Sequence, residues 1–303
     1  METEEIKRPP LALTYLKLVG AAILWGGTFI AGRVVSQGID PYSAAFWRFA
    51  IASICLLVLT RNVEERLPTP RKHQYIPLIL LGLSGIACYN IFFFKGLELI
   101  EAGRASVIVA QNPIFIALLS AYFFKERLTF TKTFAVCLSV CGACIVITQG
   151  HLNEVFHGQV GAGELYILGC VASWVTYSLL GKAVMTALSP LASVTYSVLI
   201  GTFILFFPAL SHGAFRKCLS YSFVQWIALI YLGLFGTVLG FLWFYQGIQH
   251  IGPMKSGMFI NIVPVSGIVL GILLLGEQLT VSLLIGGACA CAGIYLMNKS
   301  PHP

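Results

Sequence analysis

The hydrophobic positions along this chain fall into ten long apolar stretches, separated by short segments that carry most of the polar residues. An apolar stretch of about 17 to 25 residues is long enough to cross the hydrocarbon core of a bilayer as a helix. A helix also satisfies its own backbone hydrogen bonds in lipid. The pattern therefore predicts an all-α integral membrane protein with ten transmembrane helices. We place them at 14–35, 41–60, 76–96, 104–124, 131–148, 163–184, 190–210, 224–246, 255–275 and 281–298.

The ten stretches form two similar sets of five. One series of positions repeats without a gap 151 residues later. It consists of Phe93, Gly96, Ile100, Pro113, Leu119, Glu126, Leu128, Thr129 and Gly142, matched by Phe244, Gly247, Ile251, Pro264, Leu270, Glu277, Leu279, Thr280 and Gly293. A second series, at an offset of 149, matches Trp25, Gly32 and Pro41 with Trp174, Gly181 and Pro190. Because five is an odd number, the second set enters the membrane from the opposite side. We therefore expect two inverted five-helix repeats, 1–150 and 151–303.

The composition agrees with a chain that is dissolved in lipid. Hydrophobic residues make up 57% and charged residues 10% of the chain, and the mean hydropathy is +0.85. With a cytoplasmic N-terminus, thirteen Lys and Arg residues face the cytoplasm and five the outside, while Arg48 lies within a span. This asymmetry predicts that both termini are cytoplasmic, in the cell (inner or plasma) membrane. It also accounts for the net charge of +7 without a nucleic-acid partner.

The residues that usually carry catalysis or bind metals are not arranged for either purpose. The six histidines lie in loops, at span ends or in the tail, whereas an enzyme within the membrane would need a histidine and carboxylate cluster at depth. Eight of the nine cysteines lie in predicted spans, without the close Cys and His spacing of a zinc site, and are interpreted as small packing residues. We expect no catalytic residue, metal or cofactor. We expect the fifth and tenth helices to pack through small residues, which would also permit a homodimer.

The order of several motif residues resembles that of a known family. In the first copy these are Trp25, Gly26, Phe29, Pro41, Ala44, Arg48, Ala105, Pro113, Glu126, Leu128 and Gly142. In the second they are Trp174, Tyr177, Pro190, Ser256, Pro264, Glu277, Leu279, Gly286 and Gly293. The chain resembles the EamA-domain proteins of the drug/metabolite transporter superfamily over almost its whole length. The resemblance implies a secondary carrier of small metabolites, often an exporter, with a central cavity between spans 1 to 4 and 6 to 9.

Arg48 is the most unfavourable residue to place in the predicted cavity-forming spans. It lies about 10 Å from the outer end of its helix if that end is Pro41, because each helical residue rises about 1.5 Å. One interpretation is that it binds an anionic group such as a substrate carboxylate. The other is a structural cation, bonded to helix carbonyls or reaching toward the surface. Ser197 at the equivalent position of the second copy favours the structural interpretation, and the sequence leaves both open.

Two prolines interrupt predicted helices near the centre of the molecule. Pro113 and Pro264 each remove a backbone hydrogen bond, in the fourth and ninth spans, so we expect kinks that act as hinges. Gln111 and Asn112 lie beside the first proline, and Asn261 lies beside the second. These amides either bind polar groups of a substrate or satisfy the opened backbone.

Aromatic side chains are expected to form the walls of the cavity. Trp25 and Trp174 occupy equivalent positions, which inversion places symmetrically about the membrane midplane. The other candidate contacts with a substrate are Thr28, Tyr89, Asn90, Tyr177 and Tyr245. Charged residues at span ends are predicted instead to lie in solvated turns or to anchor the ends. They are Lys95, Glu98, Glu101, Arg104, Glu126 and Glu277.

These expectations favour a transporter over other classes of membrane protein. Inverted halves with central kinks suit alternating access better than a permanent pore. The sequence therefore predicts a secondary transporter that moves, in the direction of export, a small neutral, zwitterionic or amphipathic metabolite such as an amino acid. The alternatives are a membrane-embedded enzyme, a channel, and a nucleotide-sugar or phosphate-type antiporter, although the last would need several deep cations.

Overall fold

The computed structural model describes residues 10–64, 67–112, 114–116, 119, 130–150, 161–184, 188–251, 256 and 259–299. Its α-helices are α1 (Leu11–Ser36), α2 (Pro41–Glu64), α3 (Tyr75–Leu81), α4 (Tyr89–Leu99), α5 (Ala102–Val109), α6 (Phe130–Ile147), α7 (Ala162–Val184), α8 (Pro190–Ser211), α9 (Ala214–Lys217), α10 (Phe223–Ile230), α11 (Gly240–Ile251), α12 (Ile262–Leu275) and α13 (Val281–Lys299). Short 3₁₀ turns lie at Lys72–Gln74, Cys218–Ser220 and Phe259–Asn261. The predicted all-helical architecture is thus present in the described residues.

Six helical stretches are long and apolar enough to cross a membrane. They are Leu11–Ser36, Pro41–Glu64, Lys72–Leu99, Ala162–Leu180, Leu191–Ser211 and Phe223–Phe244. Shorter apolar helices lie at Thr133–Ile147, Phe259–Leu275 and Val281–Gly293. These nine positions agree with nine of the predicted spans. Much of the fourth predicted span lies outside the described residues, so the count of ten stays a prediction.

The second helix of each copy begins in the same way. Pro41 and Pro190 are the first residues of α2 and α8, a position that tolerates a residue without an N–H group. Asp40 caps α2 through its carboxylate, and the Ser189 hydroxyl accepts a hydrogen bond from the Ala192 backbone nitrogen at 3.0 Å. Each side chain satisfies an N–H group that has no partner inside the helix.

Both copies of the third span contain a π-helical segment that the hydrophobic pattern does not reveal. The two segments are Gly82–Cys88, between α3 and α4, and Tyr231–Leu239, between α10 and α11. Gly82 and Gly233 are 151 residues apart and both lie at close helix contacts. A Cβ atom on Gly82 would lie 2.9 Å from a backbone nitrogen of α8, and one on Gly233 would lie 2.8 Å from the Arg48 carbonyl oxygen. The third span of each copy therefore packs directly on the second helix of the other copy.

The two copies pack crosswise around the centre of the molecule. Helix α1 of the first copy packs against α10, α11 and α12 of the second, and α7 of the second packs against α3, α4 and α5 of the first. Helices α2 and α8 pack on each other, and the Thr60 and Thr195 hydroxyls are hydrogen-bonded at 2.7 Å between them. The largest group of buried apolar residues includes members of both copies. The interface between the copies therefore forms the core.

Helices α6 and α13, which the sequence predicts to be packing helices, pack closely on each other. Gly142 faces the backbone of Gly286, where a Cβ atom would lie 2.6 Å or less from a carbonyl oxygen on either side. Small residues let helix backbones approach each other this closely. Because these surfaces are used within one chain, a homodimer, which stays a prediction, would need other exposed helix faces.

Candidate functional site

Five aromatic side chains meet at the centre of the molecule, and we call them the aromatic layer: Trp25, Tyr89, Trp174, Tyr177 and Phe241. The ring centroid of Phe241 lies 5.7 Å from that of Trp25 and 6.4 Å from that of Trp174. Tyr89 and Tyr177 lie 5.6 Å and 5.2 Å from Trp174. The structure thus brings together four predicted contacts. Phe241 was missed, because an isolated Phe in an apolar span carries no signal of its own.

Each π segment contacts a side chain of this layer. Trp25 Nε1 donates a hydrogen bond to the carbonyl oxygen of Gly236 at 3.0 Å. Gly236 lies against the Thr28 methyl group, and Gly85, 151 residues earlier, lies against the Tyr177 ring. Thr28 and Tyr177 are themselves 149 residues apart, so the same contact is built twice, once in each orientation. A Gly-x-x-Gly pair in both copies was the sequence signal that could have located these segments.

Arg48 lies in a pocket of neutral side chains, and 8% of its surface is exposed. Its Nη1 donates to Asn90 Oδ1 at 2.9 Å and its Nη2 to Thr237 Oγ1 at 3.4 Å. The guanidinium carbon lies 5.1 Å and 5.8 Å from the ring centroids of Phe49 and Phe93. The predicted candidates Arg48 and Asn90 are therefore in direct contact. Thr237, which the sequence analysis missed, comes from the other copy.

The three amides beside the predicted helix breaks occupy different surroundings. The Ser139 hydroxyl, on α6, donates to Gln111 Oε1 at 2.7 Å. Gln111 therefore joins the fourth span to a packing helix and does not face the aromatic layer. Asn112 is buried, and its Oδ1 has no partner among the described residues. The Oδ1 atom of Asn261 is also buried and unpartnered within the described part of the chain.

Pro264 lies in the first turn of α12, directly after the 3₁₀ turn Phe259–Asn261. The ninth span therefore changes helix type just before the proline, where a missing N–H group is tolerated, and does not bend in mid-helix. In the first copy α5 already ends at Val109. Pro113 and the side chain of Tyr245 lie outside the described residues.

Charged residues join the two copies at the predicted outer end, which corrects the expectation of solvated turn charges for Arg104. Arg104 forms a salt bridge of 2.7 Å with Glu164, whose side chain is 5% exposed and needs a charged partner. Glu277 anchors the end as predicted, accepting hydrogen bonds from the backbone nitrogens of Ala102 and Gly103 at 2.6 Å and 2.9 Å. Its carboxylate thus caps α5 of the other copy.

The remaining charged residues at the predicted span ends have different surroundings. Lys95 lies over the Tyr42 and Tyr166 rings, with its nitrogen 5.2 Å and 5.5 Å from their centroids. Glu98 is exposed, as predicted. Partial burial, and then the neighbouring charge of Glu277, raise the pKa of Glu101. Glu126 lies outside the described residues.

At the opposite end, α1 is tied to α11 by side-chain hydrogen bonds. Lys17 Nζ donates to Gln246 Oε1 at 2.8 Å, and Thr14 Oγ1 lies 3.2 Å from His250 Nδ1. Side chains of the two copies are therefore in contact at both predicted ends of the described part of the molecule.

These features define a multi-pass helical membrane protein of the class built from two similar copies, whose central site lies where the copies meet. The chain belongs to the EamA-like transporter family, whose family model matches residues 12–148 and 161–299. The match covers both copies.

Relatives with similar sequences are described as transporters. Uncharacterized transporter YyaM of Bacillus subtilis (strain 168) is 28% identical over 280 residues, which cover 92% of each chain. A probable terminal-alkyne amino-acid exporter of Streptantibioticus cattleyicolor is 26% identical over 285 residues, covering 93% of this chain and 92% of that one. A solved crystal structure with 18% identity aligns with a TM-score of 0.64 over 95% of this chain and 98% of its own, which supports the fold.

Proposed function

We propose that this chain is a secondary transporter that exports a small metabolite across the cell (inner or plasma) membrane, with both termini in the cytoplasm. The observation that carries the proposal is the position of Phe241, a residue of the second copy that contacts both Trp25 and Trp174. Because both copies supply the aromatic layer, a change in their packing would expose the layer to one side of the membrane or the other.

The chemistry of the layer suits a small zwitterionic or amphipathic substrate. Aromatic rings bind apolar groups, and their faces attract ammonium groups. Among the described residues Arg48 is the one buried basic side chain, whereas a nucleotide-sugar or phosphate-type antiporter would use several cations. The description of the Streptantibioticus relative as a probable terminal-alkyne amino-acid exporter supports the same class of substrate. We therefore propose amino acids and related compounds as substrates.

Contacts between the copies at both ends support alternating access. The Glu277 cap on α5 and the Arg104–Glu164 salt bridge would separate when the outer end opens. The Lys17–Gln246 hydrogen bond would separate when the inner end opens. A permanent channel would not need closing contacts at both ends.

Exchange of labelled amino acids in proteoliposomes tests this function. Trp174→Ala removes ring contacts within the aromatic layer, which are worth roughly 1 to 3 kcal/mol to a bound substrate. We expect the half-saturating concentration to rise about 5- to 150-fold at that energy. Release of the same substrate from preloaded cells, compared with cells that lack the protein, measures export.

Trp226→Ala is the matched control. Trp226 packs against Trp47 and Tyr221, away from the aromatic layer, at 5.5 Å and 5.8 Å between ring centroids. We expect this variant to keep the wild-type half-saturating concentration within about twofold. If both tryptophan variants raise the half-saturating concentration equally, the proposed site is wrong. If the wild-type protein exchanges none of the labelled amino acids, the proposed substrate class is wrong.

A further inference from the structure

Arg48 carries a permanent positive charge in an environment that does not neutralise it. Its side chain is buried, and the groups that accept its hydrogen bonds, Asn90 Oδ1 and Thr237 Oγ1, are neutral. The salt bridges found in the described residues involve Arg104 and His212, not Arg48. A cation buried at membrane depth normally pairs with an opposite charge or faces a pathway for a charged ligand.

The two structural explanations that the sequence left open do not fit this geometry. Neither hydrogen bond of the guanidinium goes to a helix carbonyl, because both acceptors are side-chain oxygens. The group does not reach the surface either, since the Arg48 side chain is buried. The Phe49 and Phe93 rings stabilise a cation weakly compared with a carboxylate.

The acceptors are themselves held in place by the third span of each copy. Asn90 Nδ2 donates to the Ile86 carbonyl oxygen at 2.8 Å, and Thr237 Oγ1 donates to that of Leu232 at 3.0 Å. These bonds fix the two side chains beside the π segments, so they hold Arg48 in one orientation. Arg48 thus joins the first and second copies at one point.

The guanidinium keeps unused donors in this orientation. It carries five N–H groups, of which two are used by Asn90 and Thr237. Its Nε atom is buried and has no partner among the described residues. The fork formed by Nε and a neighbouring Nη is the edge that binds a carboxylate through two parallel hydrogen bonds.

We propose that Arg48, held by Asn90 and Thr237, binds the carboxylate of the transported molecule. This inference rests on the proposed transport function and names one chemical group that its substrate must carry.

The position of Arg48 also connects the carboxylate to the aromatic layer. The Phe93 ring lies under the guanidinium, and the Tyr89 ring stacks on Phe93 with centroids 6.0 Å apart. Tyr89 in turn contacts Trp174. A molecule with a carboxylate at one end and an apolar group at the other would reach both. Because the second copy has Ser197 at the equivalent position, the site binds one carboxylate in one orientation.

The test compares carboxylates with their neutral amides. Propanoate, hexanoate and 3-phenylpropanoate, each paired with its amide, are titrated against the full-length protein in detergent, and binding is followed by thermal stabilisation and tryptophan fluorescence. For at least one pair we expect the wild-type protein to bind the acid roughly 10- to 100-fold more tightly than the amide, because hydrogen bonds to charged groups are strong. Arg48→Gln should reduce this ratio to about one, and Arg48→Lys, which keeps the charge but not the fork, should reduce it in part.

Lys95→Gln is the matched control, since Lys95 is a basic residue of the same half that lies over Tyr42 and outside the site. It should keep the wild-type ratio. Equal binding of every acid and its amide by the wild-type protein would overturn the inference. An unchanged acid-to-amide affinity ratio in Arg48→Gln, together with lower thermal stability, would also overturn the inference. Arg48 would then have a structural role. If Arg48→Gln does not fold, the inference is tested by comparing the acid-to-amide affinity ratio of the wild-type protein with that of Arg48→Lys.

Substrate exchange separates this inference from the proposed function. If proteoliposomes exchange amino acids and their amides equally well and Arg48→Lys exchanges both normally, the carboxylate site is wrong while the transport function stands. If carboxylates bind with the expected dependence on Arg48 but are not exchanged, the transport function is wrong while the binding site stands.

Discussion

At the scale of single residues, Glu101 and Glu277 show how surroundings separate two carboxylates at the predicted outer end. Glu277 accepts two backbone N–H groups at the start of α5. Glu101 precedes the same helix but does not cap it with its side chain. Partial burial, and then the charge of Glu277, raise the pKa of Glu101. The ionised form of Glu101 is therefore less favourable in the folded protein than in the unfolded chain.

The raised pKa predicts a pH-dependent effect of Glu101→Gln. A carboxyl whose pKa is higher in the folded state binds protons more tightly there, so its contribution to stability falls as pH rises from the ordinary carboxyl range through the raised pKa. Glu101→Gln should therefore raise the thermal denaturation midpoint relative to wild type at pH 7 to 8, and this gain should shrink toward pH 4. In a Glu277→Gln background, the pH-dependent part of this gain in the denaturation midpoint should be smaller. A gain that is the same at every pH would contradict the assignment.

At the scale of elements, the starts of the helices could be predicted from sequence better than their internal geometry. Pro41 and Pro190 mark the beginnings of α2 and α8 because proline suits the first turn of a helix. The π segments left no trace in the hydrophobic pattern, since an extra residue in one turn keeps the stretch apolar. The glycines of these segments are needed because helices distant in sequence approach closely there. The repeated Gly-x-x-Gly pair marks the positions but does not specify which helix is contacted.

Alanine substitutions in the π segments test whether these close contacts matter. Gly82→Ala and Gly233→Ala would place a Cβ atom within 3 Å of backbone atoms that cannot move aside alone. We expect each to lower stability by roughly 1 to 3 kcal/mol, as overpacking does. The control is Gly287→Ala, where the nearest atoms would lie 3.5 Å and 3.8 Å away, so stability should be unchanged or slightly higher. Thermal denaturation in detergent measures all three, and similar midpoints would show that the segments tolerate a wider spacing.

At the scale of the whole molecule, the duplicated pattern predicted more of the fold than of the site. The two offsets, 149 and 151, related equivalent helices before any contact was known, and Trp25 and Trp174 do meet the same ring. Gln111 could not be placed, because a polar residue beside a helix break looks the same whether it faces a cavity or Ser139. The pairing of Arg104 with Glu164 was equally hidden, since it joins residues from different copies.

The predicted orientation of the molecule determines which segments should be accessible from each side. Basic residues favour a cytoplasmic N-terminus, and the ten predicted spans would return the C-terminus to the same side. Cytoplasmic reporters fused at Glu5 or Ser300 should be active, and reporters of the outer side should be active when inserted at Val155 or Phe215. Activity of an outer-side reporter at one terminus alone would overturn the inverted arrangement, and activity at both would reverse the predicted orientation.

The matched π segments also show how closely the two copies correspond. A π turn contains one residue more than the α turn it replaces. Leu81 and Leu232 before the segments, and Phe93 and Phe244 after them, keep the same offset of 151, so neither copy gained or lost a residue here on its own. The extra residue of the π turn is therefore common to both copies, at the same place in each third span.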